Sequence, residues 1–270
     1  MPELPEVETT VAGLRPVLEG QRLTLVEPRR ANLRRPFPID LRQRMTGARV
    51  IELGRRAKYG LIVTDRDDVM IFHLGMSGRW RIDPAEIEKH DHLVLETEDG
   101  RRLVLNDPRR FGSVDLVRSD EIDSFAPFAV MGPEPLGDDF TGRYLKAATK
   151  DRKAPIKQLL LDQRTVAGLG NIYVCEALHM AGISPAKIGG QISGPRYDKL
   201  VIAIKQVLKA AIAAGGSSLR DFVRPDGELG YFAKDWLVYG REGQACHCGA
   251  LVLRRVDSGR STFYCRKCQK

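Results

Sequence analysis

The chain has 270 residues, of which 43% are hydrophobic and 29% charged. That is ordinary for a soluble globular protein and enough for one large domain or two modest ones. No apolar run reaches the roughly 20 residues that span a bilayer, and the acidic N-terminus lacks a secretion signal's apolar core, so the expectation is a cytoplasmic protein with no membrane partner.

The first element is a helix from Pro5 to Gly20, with Val7, Val11, Leu14 and Leu18 at helical spacing. Pro5 suits a first helical turn, where its missing N–H costs nothing. The period then shortens. RLTLVEP, ARVIELGR, YGLIVTD, DVMIFHL, HLVLETEDGRRLVLND and SVDLV are short β-branched or alternating runs, and the EDG within the fifth is a hairpin signal. Residues 1–133 therefore read as a helix plus a β-sandwich or barrel. MGPEPLGDD, at 131–139, is a linker by composition. Helical stripes follow in RYLKAATK, APIKQLLLDQ, NIYVCEALHMAGI and PRYDKLVIAIKQVLKAAIAAGG. SSLRDFVRPDGELGYF, at 217–232, reads as a long loop.

The chain ends in a basic, cysteine-rich tail. The net charge is +8 and the pI about 9.3, and residues 244–270 hold six basic residues against the single acid Asp257. Such an excess points to a polyanionic partner. Cys246, Cys248, Cys265 and Cys268 form two pairs, CxC and CxxC. In a cytosolic chain such a cluster reads as tetrahedral zinc before it reads as disulfides. The first pair is one residue short of the usual knuckle, and His247, between its cysteines, is an alternative to one thiolate. Cys175, alone in an apolar segment, reads as a buried inert residue.

Motifs spread along the whole chain then converge. PELPEVET, RRAKYG, HLGMSG, NDPRRFG, GLGNIYVCEAL and TFYCRKCQK together resemble the bacterial formamidopyrimidine-DNA glycosylase family, in register from residue 2 to residue 270. PELPE is more similar to this family than to its relative endonuclease VIII, which reads PEGPE. The resemblance implies an α+β protein in three parts. They are a catalytic helix and β-sandwich domain (1–133), a linker and helix–two-turn–helix domain (134–236), and a zinc finger (237–270). It also implies a monomer with one structural Zn2+, holding damaged duplex DNA in a cleft between its domains. The implied activity is excision of 8-oxoguanine and formamidopyrimidines followed by β,δ-elimination.

The chemistry fits the residues. With Met1 removed, Pro2 carries a secondary α-amine, and α-amines have a reference pKa of about 7.7–8.0, well below lysine's. Attack at C1′ expels the base and leaves an iminium ion, which acidifies the C2′ proton for strand cleavage. A carboxyl group beside the nucleophile can move protons to the sugar or base. The resemblance gives that role to Glu3, with Glu6 in support, and makes Lys58 a contact to the damaged nucleotide that assists catalysis. Base flipping needs an apolar wedge and a partner for the orphaned base, and Met76, Arg109 and Phe111 match those inserted residues. Lys157, Asn171 and Arg260 match a phosphate clamp. Tyr173 is either a further phosphate contact or core. His90 and His92 share a strand face, and His92 is either a DNA contact or a satisfied structural histidine. Arg220, in the 217–232 loop, is the expected lesion-loop residue. A non-catalytic zinc-finger DNA-binding protein and an oxidised-pyrimidine glycosylase are the rival readings.

Overall fold

A computed structural model describes residues 2–217, 225 and 236–270. It divides into two compact units, Met1–Ala129 with Ala214–Tyr231, and Val130–Ala213 with Phe232–Lys270.

The first unit opens with α1 (Leu4–Leu18). β1 (Leu23–Pro28), a short α2 (Leu41–Met45) and seven more strands follow: β2 (Val50–Arg56), β3 (Tyr59–Thr64), β4 (Asp68–His73), β5 (Arg79–Ile82), β6 (Asp91–Thr97), β7 (Arg102–Asn106) and β8 (Ser113–Arg118). They pair antiparallel throughout, into one sheet of order β1-β6-β7-β5 and another of order β2-β3-β4-β8. This is the sandwich alternative of the sequence reading.

Inward side chains of both sheets share one core. Val26, Leu93, Leu95 and Leu105 come from the first sheet and Val50, Ile62, Met70 and Phe72 from the second. The Phe72 and Trp80 rings join them edge to face at 5.6 Å. Helix α1 closes this core with Val7, Val11, Leu14 and Leu18, the stripe its spacing foretold. Burying four such side chains stabilises by roughly 1.5–3 kcal/mol each, which anchors the helix whose first turn carries the candidate chemistry. β5, the four-residue RWRI, was absent from the sequence reading because its alternation is too short to stand out from its charged neighbours.

The second unit holds α4 (Gly142–Thr149), α5 (Ile156–Leu161), α6 (Asn171–Met180) and α7 (Gly194–Ala213), after a single turn, α3 (Ala126–Ala129), that ends the first. α6 is buried almost all round. A two-stranded hairpin, β9 (Leu253–Asp257) and β10 (Arg260–Tyr264), ends the chain. Its small core of Val238, Cys246, Val252, Phe263 and Cys265 packs on Cys175 of α6. Among the described residues no helix is long and apolar enough to cross a membrane.

Candidate active site and metal centre

The start of α1 is buried and locked. Pro2 is buried, and Glu3 and Glu6 are each 2% exposed. Glu3 is the N-cap and closes a capping box with Glu6, whose Oε2 accepts the Glu3 N–H at 2.9 Å. The other oxygen of Glu6 accepts the Ser217 N–H at 2.8 Å and its hydroxyl at 2.9 Å. Glu6 thus orders the helix start, and the Glu3 carboxyl lies one residue from the Pro2 nitrogen.

Lys58 sits at the tip of the β2–β3 hairpin. Arg56 pairs with Tyr59, so Ala57 and Lys58 form a two-residue turn. Ala57 takes φ 53°, a left-handed conformation that costs a non-glycine residue about 1 kcal/mol or more. Arg55 holds the turn by donating to the Ala57 carbonyl at 2.9 Å, and it ion-pairs with Glu8 of α1 at 2.7 Å. The hairpin is thereby fastened to the helix that carries Pro2 and Glu3. Lys58 is only 8% exposed, where a hairpin-tip lysine would ordinarily be solvated.

Two loops of the same unit present Met76, Arg109 and Phe111. Their backbones cross closely: at Gly75, with φ +61°, a Cβ would lie 2.3 Å from the Phe111 carbonyl carbon, so only glycine fits. Asp107, fully buried, ties the loops together. Its Oδ1 accepts the Ser77 hydroxyl at 2.7 Å and its Oδ2 accepts the Gly112 N–H at 2.8 Å. Phe111 stays 44% exposed, with the Arg109 guanidinium 4.9 Å from its ring centroid. An aromatic side chain held out in water beside a cation is a stacking platform.

His73 ends β4 beneath these loops. Its Nδ1 accepts the Gly75 N–H at 3.0 Å. Burial first, then the positive charges of Lys58, Arg34 and Arg35, lower its pKa from 6.5 to about 4. Below pH 6.5 the unfolded chain takes up a proton that the folded chain resists down to about pH 4. Its contribution is therefore full above 6.5 and is lost as pH falls through that window, with an upper bound on the order of 3 kcal/mol. Denaturant unfolding of His73→Gln is expected to show a flatter loss of stability between pH 6.5 and 4.5 than the unsubstituted chain. Equal slopes would contradict this.

His92 is enclosed by the loop it precedes. It is 3% exposed and its Nε2 lies 3.1 Å from the Asp107 carbonyl oxygen. An imidazole enclosed in this way braces the NDPRRFG loop. His90 is the half-exposed member of the pair. Sequence alternation placed both on one face but could not say which was covered.

In the second unit Lys157, Asn171 and the Arg260 strand come together. The Ser261 carbonyl accepts from Lys157 Nζ at 3.1 Å and from Asn171 Nδ2 at 2.8 Å, and Lys157 also donates to the Thr262 hydroxyl at 2.7 Å. Lys157 is 1% exposed, and burial lowers its pKa. An ammonium so enclosed ties α5 to the hairpin that carries Arg260. Arg260 is exposed. Tyr173 is fully buried and belongs to the core. Arg220 lies outside the described residues.

The sulfurs of Cys246, Cys248, Cys265 and Cys268 all lie within 4.8 Å of one another. None is in a disulfide. The N–H of Cys246 bonds to the Ala250 carbonyl at 2.8 Å across the short CxC turn, and that of Cys265 to the Gln269 side chain, also at 2.8 Å. Four convergent soft donors suit a tetrahedral metal.

Two family models match in chain order, "Formamidopyrimidine-DNA glycosylase N-terminal domain" over residues 1–114 and "Formamidopyrimidine-DNA glycosylase H2TH domain" over residues 131–223. The chain belongs to the formamidopyrimidine-DNA glycosylase family. Curated members from Rhizorhabdus wittichii and Sphingopyxis alaskensis are 72% and 66% identical to it, each over 100% of both chains. Among solved structures, the MutM (Fpg) protein from Thermus thermophilus is 39% identical over 99% of this chain and 98% of its own, with TM-score 0.90. A Lactococcus lactis Fpg mutant in complex with Fapy-dG-containing DNA is 34% identical over 100% of both chains, with TM-score 0.92.

One further residue escaped the sequence reading of this family member. Glu176, on buried α6, accepts the backbone N–H groups of Leu237, Val238 and Tyr239 at 2.8, 3.0 and 2.8 Å. Burial raises its pKa against the pull of those three donors. It fixes the segment leading into the cysteine hairpin. The only signal was a lone acid inside the apolar run NIYVCEALHM, which periodicity assigns to an exposed face.

Proposed function

We propose that the chain excises oxidised purines, 8-oxoguanine and formamidopyrimidines, from duplex DNA and then nicks the strand. The observation that carries this is the buried start of α1, where Pro2 and Glu3 are held by the capping box and by Glu6, with the Lys58 hairpin fastened alongside. Once Met1 is removed, the Pro2 nitrogen forms a bond to C1′ as the C1′–base bond breaks, and Glu3 moves the proton that the departing base or opening sugar requires. The resulting iminium loses its C2′ proton, the 3′ C–O bond breaks, and a second elimination releases the 5′ side. Lys58 holds the reacting nucleotide. Met76 and Phe111 fill the gap left by the flipped base and Arg109 bonds to its orphaned partner. Arg260 and Asn171 hold backbone phosphate, which positions the strand without reading sequence. One zinc held by the four cysteines supplies structure only. The solved relatives bound to Fapy-dG-containing and abasic-site DNA support this substrate class.

The test is a duplex with a single 8-oxoguanine opposite cytosine, treated with borohydride. A covalent adduct and a nicked strand are expected. Intact binding without an adduct would leave only a DNA-binding protein, and faster attack on thymine glycol would move the substrate to oxidised pyrimidines. Phe111→Ala is expected to leave stability within about 0.5 kcal/mol, since the ring is exposed. Loss of one stacked ring, worth about 1–3 kcal/mol, should cut excision from duplex roughly 5- to 150-fold. Excision from a mismatched, easily opened site should suffer less.

A further inference from the structure

The cysteine cluster has more donors than one metal needs. His179 of α6 and His247, inside the CxC turn, complete a second set of four with Cys246 and Cys268, and these ligand atoms too lie within 4.8 Å of one another. His179 Nε2 is 3.4 Å from Cys246 Sγ, and His247 Nδ1 is 3.5 Å from the same sulfur. His247 Nε2 is 3.9 Å from Cys268 Sγ, and the two shared sulfurs are 3.9 Å apart. With zinc bonds of about 2.3 Å to sulfur and 2.0–2.1 Å to nitrogen, a tetrahedron has edges of about 3.8 Å between sulfurs and 3.6 Å between sulfur and nitrogen. The separations of Cys246 from His179 Nε2, from His247 Nδ1 and from Cys268 are close to those edges; His247 approaches Cys268 through its other nitrogen, and one nitrogen at a time would bind the metal.

Among the described residues nothing else accounts for the His179 ring. It is 4% exposed on an otherwise apolar helix face, and its Nδ1 has no hydrogen-bond partner among the described residues. Its polar neighbour is Cys246, and its ring meets the His247 ring edge to face at 5.4 Å. A buried imidazole costs free energy unless it is satisfied, and a metal ligand role satisfies it.

The geometry points to a centre with two overlapping ligand sets. Four cysteines hold the metal in one, and Cys246, Cys268, His179 and His247 hold it in the other when Cys248 or Cys265 is lost. The idea rests on the metal reading above and deepens it. Exchanging two thiolates for two neutral imidazoles keeps a tetrahedral site for zinc or cobalt and removes two negative charges. The hairpin thus stays metal-bound after damage to the half of the cluster that includes Cys248, a partly exposed thiol.

The full-length chain carrying Cys248→Ala and Cys265→Ala is expected to bind one equivalent of zinc by elemental analysis. With cobalt it should give a tetrahedral visible spectrum whose thiolate charge-transfer band is about half as intense as that of the unsubstituted chain, as two sulfurs in place of four require. Adding His179→Ala and His247→Ala should abolish metal binding. An unsubstituted chain with one zinc beside an empty cysteine-pair variant would sink the second ligand set and leave the structural metal standing. An unsubstituted chain without metal would sink both. Failure of the cysteine-pair variant, and of Cys248→Ala alone, to fold when expressed with added zinc also counts against the proposal, because the second set should organise the hairpin.

Discussion

One alanine inserted between Met1 and Pro2 is expected to abolish borohydride trapping and to cut excision of 8-oxoguanine at least about a thousandfold, the scale seen when an enzyme loses its nucleophile. The extension turns the Pro2 nitrogen into an amide, whose lone pair is delocalised into the carbonyl, and it leaves every downstream residue in place. Affinity for an uncleavable lesion analogue should change far less than the rate. Glu3→Gln separates the second role. The amide oxygen can still close the capping box with Glu6, so the melting temperature should hold, while a group that cannot release a proton should lower base excision by about 10²- to 10⁴-fold. Cleavage at a preformed abasic site has no base to expel and should fall less. An extended chain that still traps DNA, or a Glu3→Gln chain that excises at the normal rate, would overturn the assignment. The mass of the unextended protein must also show Met1 removed.

Where one period dominated and one face was buried, the sequence was enough. The α1 stripe, the hairpin from β6 to β7 and the long α7 follow from spacing alone, because burial on one side leaves its mark every 3.6 or 2 residues. β5 was too short for that mark, and α6, buried on nearly all sides, has no polar face to contrast with. Choice between sandwich and barrel depends on which strands pair, which local patterns do not encode.

For the site, short motifs named residues better than they placed them. HLGMSG and NDPRRFG contained Met76, Arg109 and Phe111, and also Ser77, Asp107 and Gly75, whose contacts make the two loops one surface. Residue type alone cannot separate the histidine that braces a loop from the one that faces water, as His92 and His90 demonstrate. Lys157 presents the same ambiguity. A lysine on an amphipathic segment reads as exposed, yet this one reaches inward to the Ser261 carbonyl and the Thr262 hydroxyl. Interior hydrogen bonds over a hundred residues apart leave no trace in local sequence.

Those bonds give metal removal its expected reach. The hairpin of β9 and β10 is two-stranded, and its core holds few apolar side chains beyond the cysteines themselves. An isolated pair of strands is marginal in water. Binding of a structural zinc is worth about 10–16 kcal/mol in small finger peptides, and that binding energy is folding energy. Stripping the metal with a chelator should therefore disorder the hairpin. The Ser261 carbonyl then leaves Lys157 and Asn171, Arg260 loses its strand, and the buried Lys157 ammonium loses its acceptors. Affinity for a lesion duplex should drop by more than tenfold. The fluorescence of Trp236, whose ring meets Tyr239 at 5.1 Å, should change in step with it, and one equivalent of zinc should restore both. The β-sandwich, with a separate core running from α1 through both sheets, should keep its far-ultraviolet signature and its own melting transition. A metal-free chain that binds DNA as tightly as the metal-bound one would show that the hairpin stands without the ion, and that Arg260 is held by Lys157 and Asn171 alone.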